Sequence, residues 1–79
     1  MPTRAYVLIE TAPGKTKDVV NGLRGAPGVV SVEAVTGPYD AVAVVEADDL
    51  NKVGDIVTSR IHTAAGTTRT LTCIAIDLT

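Results

Sequence analysis

Val29-Val30-Ser31-Val32-Glu33-Ala34-Val35-Thr36-Gly37-Pro38-Tyr39-Asp40-Ala41-Val42-Ala43-Val44-Val45-Glu46-Ala47 is the stretch that decides the fold. Two runs rich in β-branched valine flank a Gly-Pro-Tyr-Asp group. Proline at the second position of a turn pre-sets the backbone for a reversal. The stretch therefore reads as a hairpin: a strand over Val29–Thr36, a turn over Gly37–Asp40 and a strand over Ala41–Ala47.

Upstream, Gly25-Ala26-Pro27-Gly28 stops a helix predicted over Lys15–Arg24, whose apolar face is Val19, Val20 and Leu23, completed by Thr16. Gly22 weakens that helix by about 1 kcal/mol relative to alanine. Before it, Pro13-Gly14 ends a strand over Ala5–Thr11. Downstream, Asp48 is placed to cap a second helix, Asp49–His62, with Leu50, Val53, Val57 and Ile61 on one stripe and Ile56 widening it. A loop, Ala64–Thr68, leads to a last strand, Thr70–Leu78. The order is β-α-β-β-α-β. Right-handed crossovers turn that order into an α+β, ferredoxin-like fold, a four-stranded antiparallel sheet with both helices on one face.

Seventy-nine residues allow one domain, spanning 1–79. A chain this short buries only about 60–65% of the surface it exposes when unfolded. Yet 46% of it is hydrophobic, with two Tyr and neither Phe nor Trp. The strands show where the excess lies. Ala41, Ala43 and Val45 back onto Val42 and Val44; Thr70, Thr72, Ile74 and Ile76 back onto Leu71, Cys73 and Ala75; Val7 and Ile9 back onto Tyr6 and Leu8. A sheet covered on one side should be polar on the other. Here Val, Ala, Ile and Thr are expected to fill the face away from the helices, where a second copy would meet it as an eight-stranded sandwich.

Other classes fall away quickly. Net charge is −2 and the basic residues form no stripe, which excludes autonomous nucleic-acid binding. One cysteine, Cys73, cannot form an internal disulfide, and no apolar run approaches a membrane span. Met1-Pro2-Thr3-Arg4 runs straight into a strand without a cleavage site, so a cytoplasmic location is expected. His62 is alone and reads as a helix C-terminal residue; Asp48 and Asp49 read as capping groups; no Cys-x-x-Cys, phosphate loop or dinucleotide loop is present. No metal or cofactor is implied.

One polar constellation remains. Gly37-Pro38-Tyr39-Asp40 and Thr67-Thr68-Arg69-Thr70-Leu71-Thr72 are both dense in hydrogen-bonding groups. An α-amino acid needs an acceptor for its ammonium and donors for its carboxylate. Asp40 can supply the first; Thr hydroxyls and the backbone around Gly37 can supply the second. The competing reading is a turn whose Asp bonds backbone, beside a strand start rich in β-formers.

Together with Pro27-Gly28-Val29, the Gly37-x-Tyr39-Asp40-Ala41-Val42 pattern resembles the C-terminal effector-binding (RAM) domain of the Lrp/AsnC feast/famine regulators, over nearly the whole chain. The resemblance implies a dimeric α/β-barrel assembly through the sheets, growing to an octamer or similar ring, with an amino acid bound near dimer–dimer contacts. Carried over residue by residue, it singles out Gly37, Tyr39, Asp40, Thr68, Thr70 and Thr72 as ligand-binding. Pro38 departs from the polar residue common there and removes a backbone donor. The chain begins at the first strand, so the resemblance also implies a stand-alone member without a helix-turn-helix domain, one that could act on a full-length regulator by mixed assembly. A non-enzymatic amino-acid sensor is the leading expectation. The alternatives are a small dimeric α/β-barrel enzyme of monooxygenase or isomerase type and a ligand-free assembly unit.

Overall fold

Alternating small and branched residues along Ala41–Ala47 make one of the two inner strands of the sheet, flanked on both sides. In the computed structural model, which describes residues 2–78, the elements are β1 (Thr3–Thr11), α1 (Thr16–Leu23), β2 (Val29–Ala34), β3 (Ala41–Ala47), α2 (Leu50–Ile56, continued by a π-helical turn, Val57–Ile61) and β4 (Thr67–Ile74). The sheet order is β2-β3-β1-β4, with every neighbouring pair antiparallel. The expected architecture is the one found.

Pairing Val7 with Ala43 and Thr72 sets the register. It points Ala5, Val7, Ile9, Val32, Ala41, Ala43 and Val45 toward the helices, where they meet Val19, Val20, Leu23, Val53, Val57 and Ile61 in one buried cluster. Alanines at three of these positions let the helix backbones lie close to the sheet. Full burial of each larger aliphatic chain stabilises the fold by about 1.5–3 kcal/mol. Gly28 makes the other close approach. Its φ is +84°, and a Cβ there would collide with Ile56 Cδ1, while its carbonyl accepts the Glu46 N–H at 2.9 Å.

Several boundaries differ from those read in the sequence, each for a local reason. Asp49, not Asp48, caps α2. It keeps an extended backbone (φ −149°, ψ 172°), and its Oδ1 accepts the Lys52 N–H at 2.9 Å, while Asp48 only pairs with Lys52 Nζ at 3.3 Å on the surface. Leu50 falls outside the core stripe and is 58% exposed. The second helix is not uniformly α. The His62 N–H reaches back five residues to the Val57 carbonyl at 2.9 Å. Thr58, Ser59 and Thr63 donate their hydroxyls to carbonyls three or four residues earlier and compete with the ladder there.

β2 stops at Ala34 because the next pair is only half made: the Val35 N–H donates to the Asp40 carbonyl at 2.9 Å, but the Asp40 N–H turns away to the Ile9 carbonyl. β4 starts at Thr67, earlier than expected, because Thr67 and Arg69 pair with Thr11 and Glu10 across a bulge. It ends at Ile74, paired with Ala5, and the Ala75 N–H still donates to the Arg4 carbonyl at 2.9 Å one residue further on.

The composition of the open face also needs correction. Ala41, Ala43, Thr70, Thr72 and Ile74 lie on the helix side. The face away from the helices carries Tyr6, Leu8, Val42, Val44, Leu71 and Cys73, beside Ser31 and Glu33 of β2. Ion-pairing Arg4 and Glu46 close one end of this apolar band, and paired positions Glu10 and Arg69 close the other. Leu71 is 48% exposed and Tyr6 40%. The apolar excess is real, and it is built from larger side chains than the sequence leads one to expect.

Candidate functional site

The β2–β3 connection is wider than a four-residue turn. Asp40 donates its N–H to the Ile9 carbonyl of β1 at 2.9 Å, so Gly37–Asp40 is not closed across its own ends, and the loop is held instead by Val35 and Asp40. Gly37 (φ +132°) takes a conformation that side chains rarely adopt, and no atom crowds it. Asp40 also reaches across strands. Its Oδ2 accepts the Thr11 N–H at 2.8 Å, where the β1–β4 register shifts. A bulge leaves a backbone donor outside the ladder, and the carboxylate takes it. The competing reading of this residue therefore holds in part: Asp40 binds backbone, but on β1 rather than in its own turn.

Thr11 has a second tie at this end of the sheet. Its hydroxyl lies 2.6 Å from that of Thr16, fixing the start of α1, which has no side-chain cap. Tyr39 stands between the loop and β4. Its hydroxyl accepts from Arg69 Nη2 at 3.3 Å, and the guanidinium carbon lies 5.9 Å from the ring centroid, within cation–π range. The Tyr39 hydrogen bond first, and the nearby Glu10 carboxylate as well, raise the Arg69 pKa above its ordinary value. Thr68 bonds the Glu10 carbonyl at 3.0 Å and Oε1 at 3.3 Å.

The structure thus gathers Tyr39, Asp40 and Thr68 at one end of the sheet. Thr70 lies next to them in a polar recess of about 210 Å³ lined by His62, Thr67, Thr68, Arg69 and Thr70. Thr72 does not join them. Roughly 7 Å beyond Thr70 along β4, it lines an apolar groove with Leu50, Val53, Gly54, Val57, Thr58 and Ile74. Arg69 and His62 are additions to the residues singled out in the sequence. Arg69 was legible as the one cation inside the threonine run; His62 was not, because only the π turn and the following loop bring it beside Thr70. A larger recess, lined in part by Pro27, Gly28, Asp48 and Lys52, opens at the opposite end of β3. Among the described residues no group of three or more His, Cys, Asp or Glu could hold a metal ion, and no helix is long and apolar enough to cross a membrane.

The Lrp/AsnC ligand binding domain matches residues 4–78, every element just described. The chain belongs to that family. Among curated proteins, this Lrp/AsnC domain is similar to an uncharacterized HTH-type transcriptional regulator of Pyrococcus furiosus, 34% identical over 76 residues, and to one of Pyrococcus abyssi, 31% identical over 78 residues. Those matches cover 92% and 95% of this chain but 51% and 52% of the relatives, so the chain spans about half their length. Among solved structures it is similar to TTHA0845 from Thermus thermophilus, with a TM-score of 0.89 and 34% identity over 98% of this chain and 96% of that one. Escherichia coli AsnC shares the fold, with a TM-score of 0.87 and 16% identity over 96% of this chain and 52% of that one. So does the transcriptional regulator NMB0573 of Neisseria meningitidis in complex with L-Met, with a TM-score of 0.83 and 19% identity over 95% and 50%.

Proposed function

We propose that this Lrp/AsnC domain is a non-enzymatic sensor of a small molecule, an amino acid in the first instance, and that it works as a homo-oligomer. The observation that carries the reading is the Tyr39–Arg69 contact, which ties the hairpin loop to the start of β4 beside a polar recess. A ligand that displaces or engages this contact moves the loop and β4 together. Gly37, Tyr39, Asp40, Thr68 and Thr70 are the proposed contacts, with Asp40 holding the loop in shape. Thr72 sits apart in one chain, and its place in the site depends on a second copy.

The apolar band of exposed Tyr6, Leu71 and Cys73 around half-buried Leu8, Val42 and Val44 supports pairing of two sheets face to face. The same face supports mixed assembly with a full-length regulator of the family. Regulatory relatives and the L-Met complex of the Neisseria protein support an effector role. Light scattering combined with a thermal-shift screen of the twenty amino acids tests the reading. The expected result is a mass at a multiple of 8.1 kDa and a stabilising response to at least one of them. A monomer indifferent to all twenty would sink it.

A further inference from the structure

Resting on the pairing of two sheets face to face, we infer that two copies meet about a two-fold axis parallel to the strands, so that Glu33 of one copy pairs with Arg69 of the other and completes the Tyr39–Arg69 contact. The charges of the open face lead to this. Arg4 is ion-paired with Glu46, Asp40 accepts from Thr11, and Glu10 accepts from Thr68. Glu33 is exposed and makes no hydrogen bond or ion pair among the described residues. A carboxylate drawn into a sheet-to-sheet contact loses its water and needs a cation there. Arg69 is the cation with capacity left. It has no ion pair among the described residues, and its 3.3 Å hydrogen bond to the Tyr39 hydroxyl uses only part of its donor fork.

Strand register puts these two groups where symmetry can join them. Glu33, Val42, Leu8 and Leu71 form one row across the open face, and Glu10 and Arg69 stand in the next. Glu33 and Arg69 therefore lie toward the same end of the sheet, but on opposite edge strands. A two-fold axis along the strands keeps each row at its own height and lays β3 on β1 and β2 on β4 of the second copy. Val42 and Val44 then meet Leu8 and Tyr6, small against large, and Glu46 meets Arg4. Glu33 comes over the row of Leu71, with Arg69 about 7 Å further along β4, within reach of so long a side chain. An axis across the strands instead sets Tyr6 against Leu8 and valine against valine, and it leaves Glu33 over Ser31 with no cation.

Light scattering on dilution of the whole chain gives the concentration at which the copies separate. Glu33→Arg, at a side chain without contacts of its own, should raise that concentration about tenfold or more, because it sets like charges together. Glu33→Gln should raise it less. Arg69→Gln should weaken pairing of the parent yet strengthen pairing of Glu33→Arg, where it removes the repulsion. A purely structural role for Arg69 does not produce that reversal of sign. Unchanged pairing of Glu33→Arg, or its rescue by Arg4→Gln in place of Arg69→Gln, while Leu71→Glu still separates the copies, overturns this axis and leaves sheet pairing standing. A parent chain that is monomeric at every concentration overturns both.

Discussion

Replacing Asp40 with alanine removes the carboxylate that occupies the Thr11 N–H at the β1 bulge. The bond is 2.8 Å long, charge-assisted and partly buried. Hydrogen bonds to charged groups contribute about 1.5–3 kcal/mol; partial burial lets water replace some of it, so about 1.5–2 kcal/mol is expected here. For a domain of this size that corresponds to a fall in Tm of roughly 6–16 °C, measured at fixed protein concentration because assembly contributes to stability. Asp40→Asn keeps a neutral acceptor and should lose about half as much. Hydrogen exchange gives the local readout: the Thr11 amide should exchange faster in Asp40→Ala, while the Val7 amide in mid-strand should not. An Asp40→Ala protein that melts within about 1 °C of the parent, with Thr11 still protected, would refute the structural role assigned to this carboxylate.

Asp49→Ala should cost about 0.5–2 kcal/mol as a lost helix cap, whereas Asp48→Ala should cost under about 0.5 kcal/mol; urea melts of the pair decide between the two candidate caps. Gly28→Ala must force a Cβ into Ile56 at φ +84°, and should destabilise by more than about 1 kcal/mol in the same assay. Leu71→Glu places a charge in the bare band of the sheet and should reduce the light-scattering mass toward 8.1 kDa without disturbing the helix-side core. An unchanged mass would remove the open face from the interface.

The hairpin and both helices were legible because their signals are local: valine runs, a Gly-Pro break and a 3.6-residue apolar stripe. β3 is Ala41–Ala47 in both sequence and structure. What could not be read was set by partners distant in sequence. Where β4 begins depends on the bulge that pairs Thr67 with Thr11, and which face Thr70 and Thr72 occupy depends on their pairing with Ile9 and Val7. The carboxylate of Asp40 is recognisable as chemically important, but its first bond is to an amide 29 residues away, exposed by a bulge that no spacing rule announces. His62 shows the same limit, since one extra residue in a helical turn decides what it stands beside.

With no tryptophan and only two tyrosines, the domain reports on itself. Tyr6 lies in the middle of the open sheet face, opposite Val44 and Cys73, and Tyr39 lies over Arg69 at the loop. Each ring therefore samples a different event, sheet pairing for one and loop occupancy for the other. Substituting either with phenylalanine leaves a single tyrosine fluorophore, so that subunit association and effector arrival can be followed separately in an unlabelled protein.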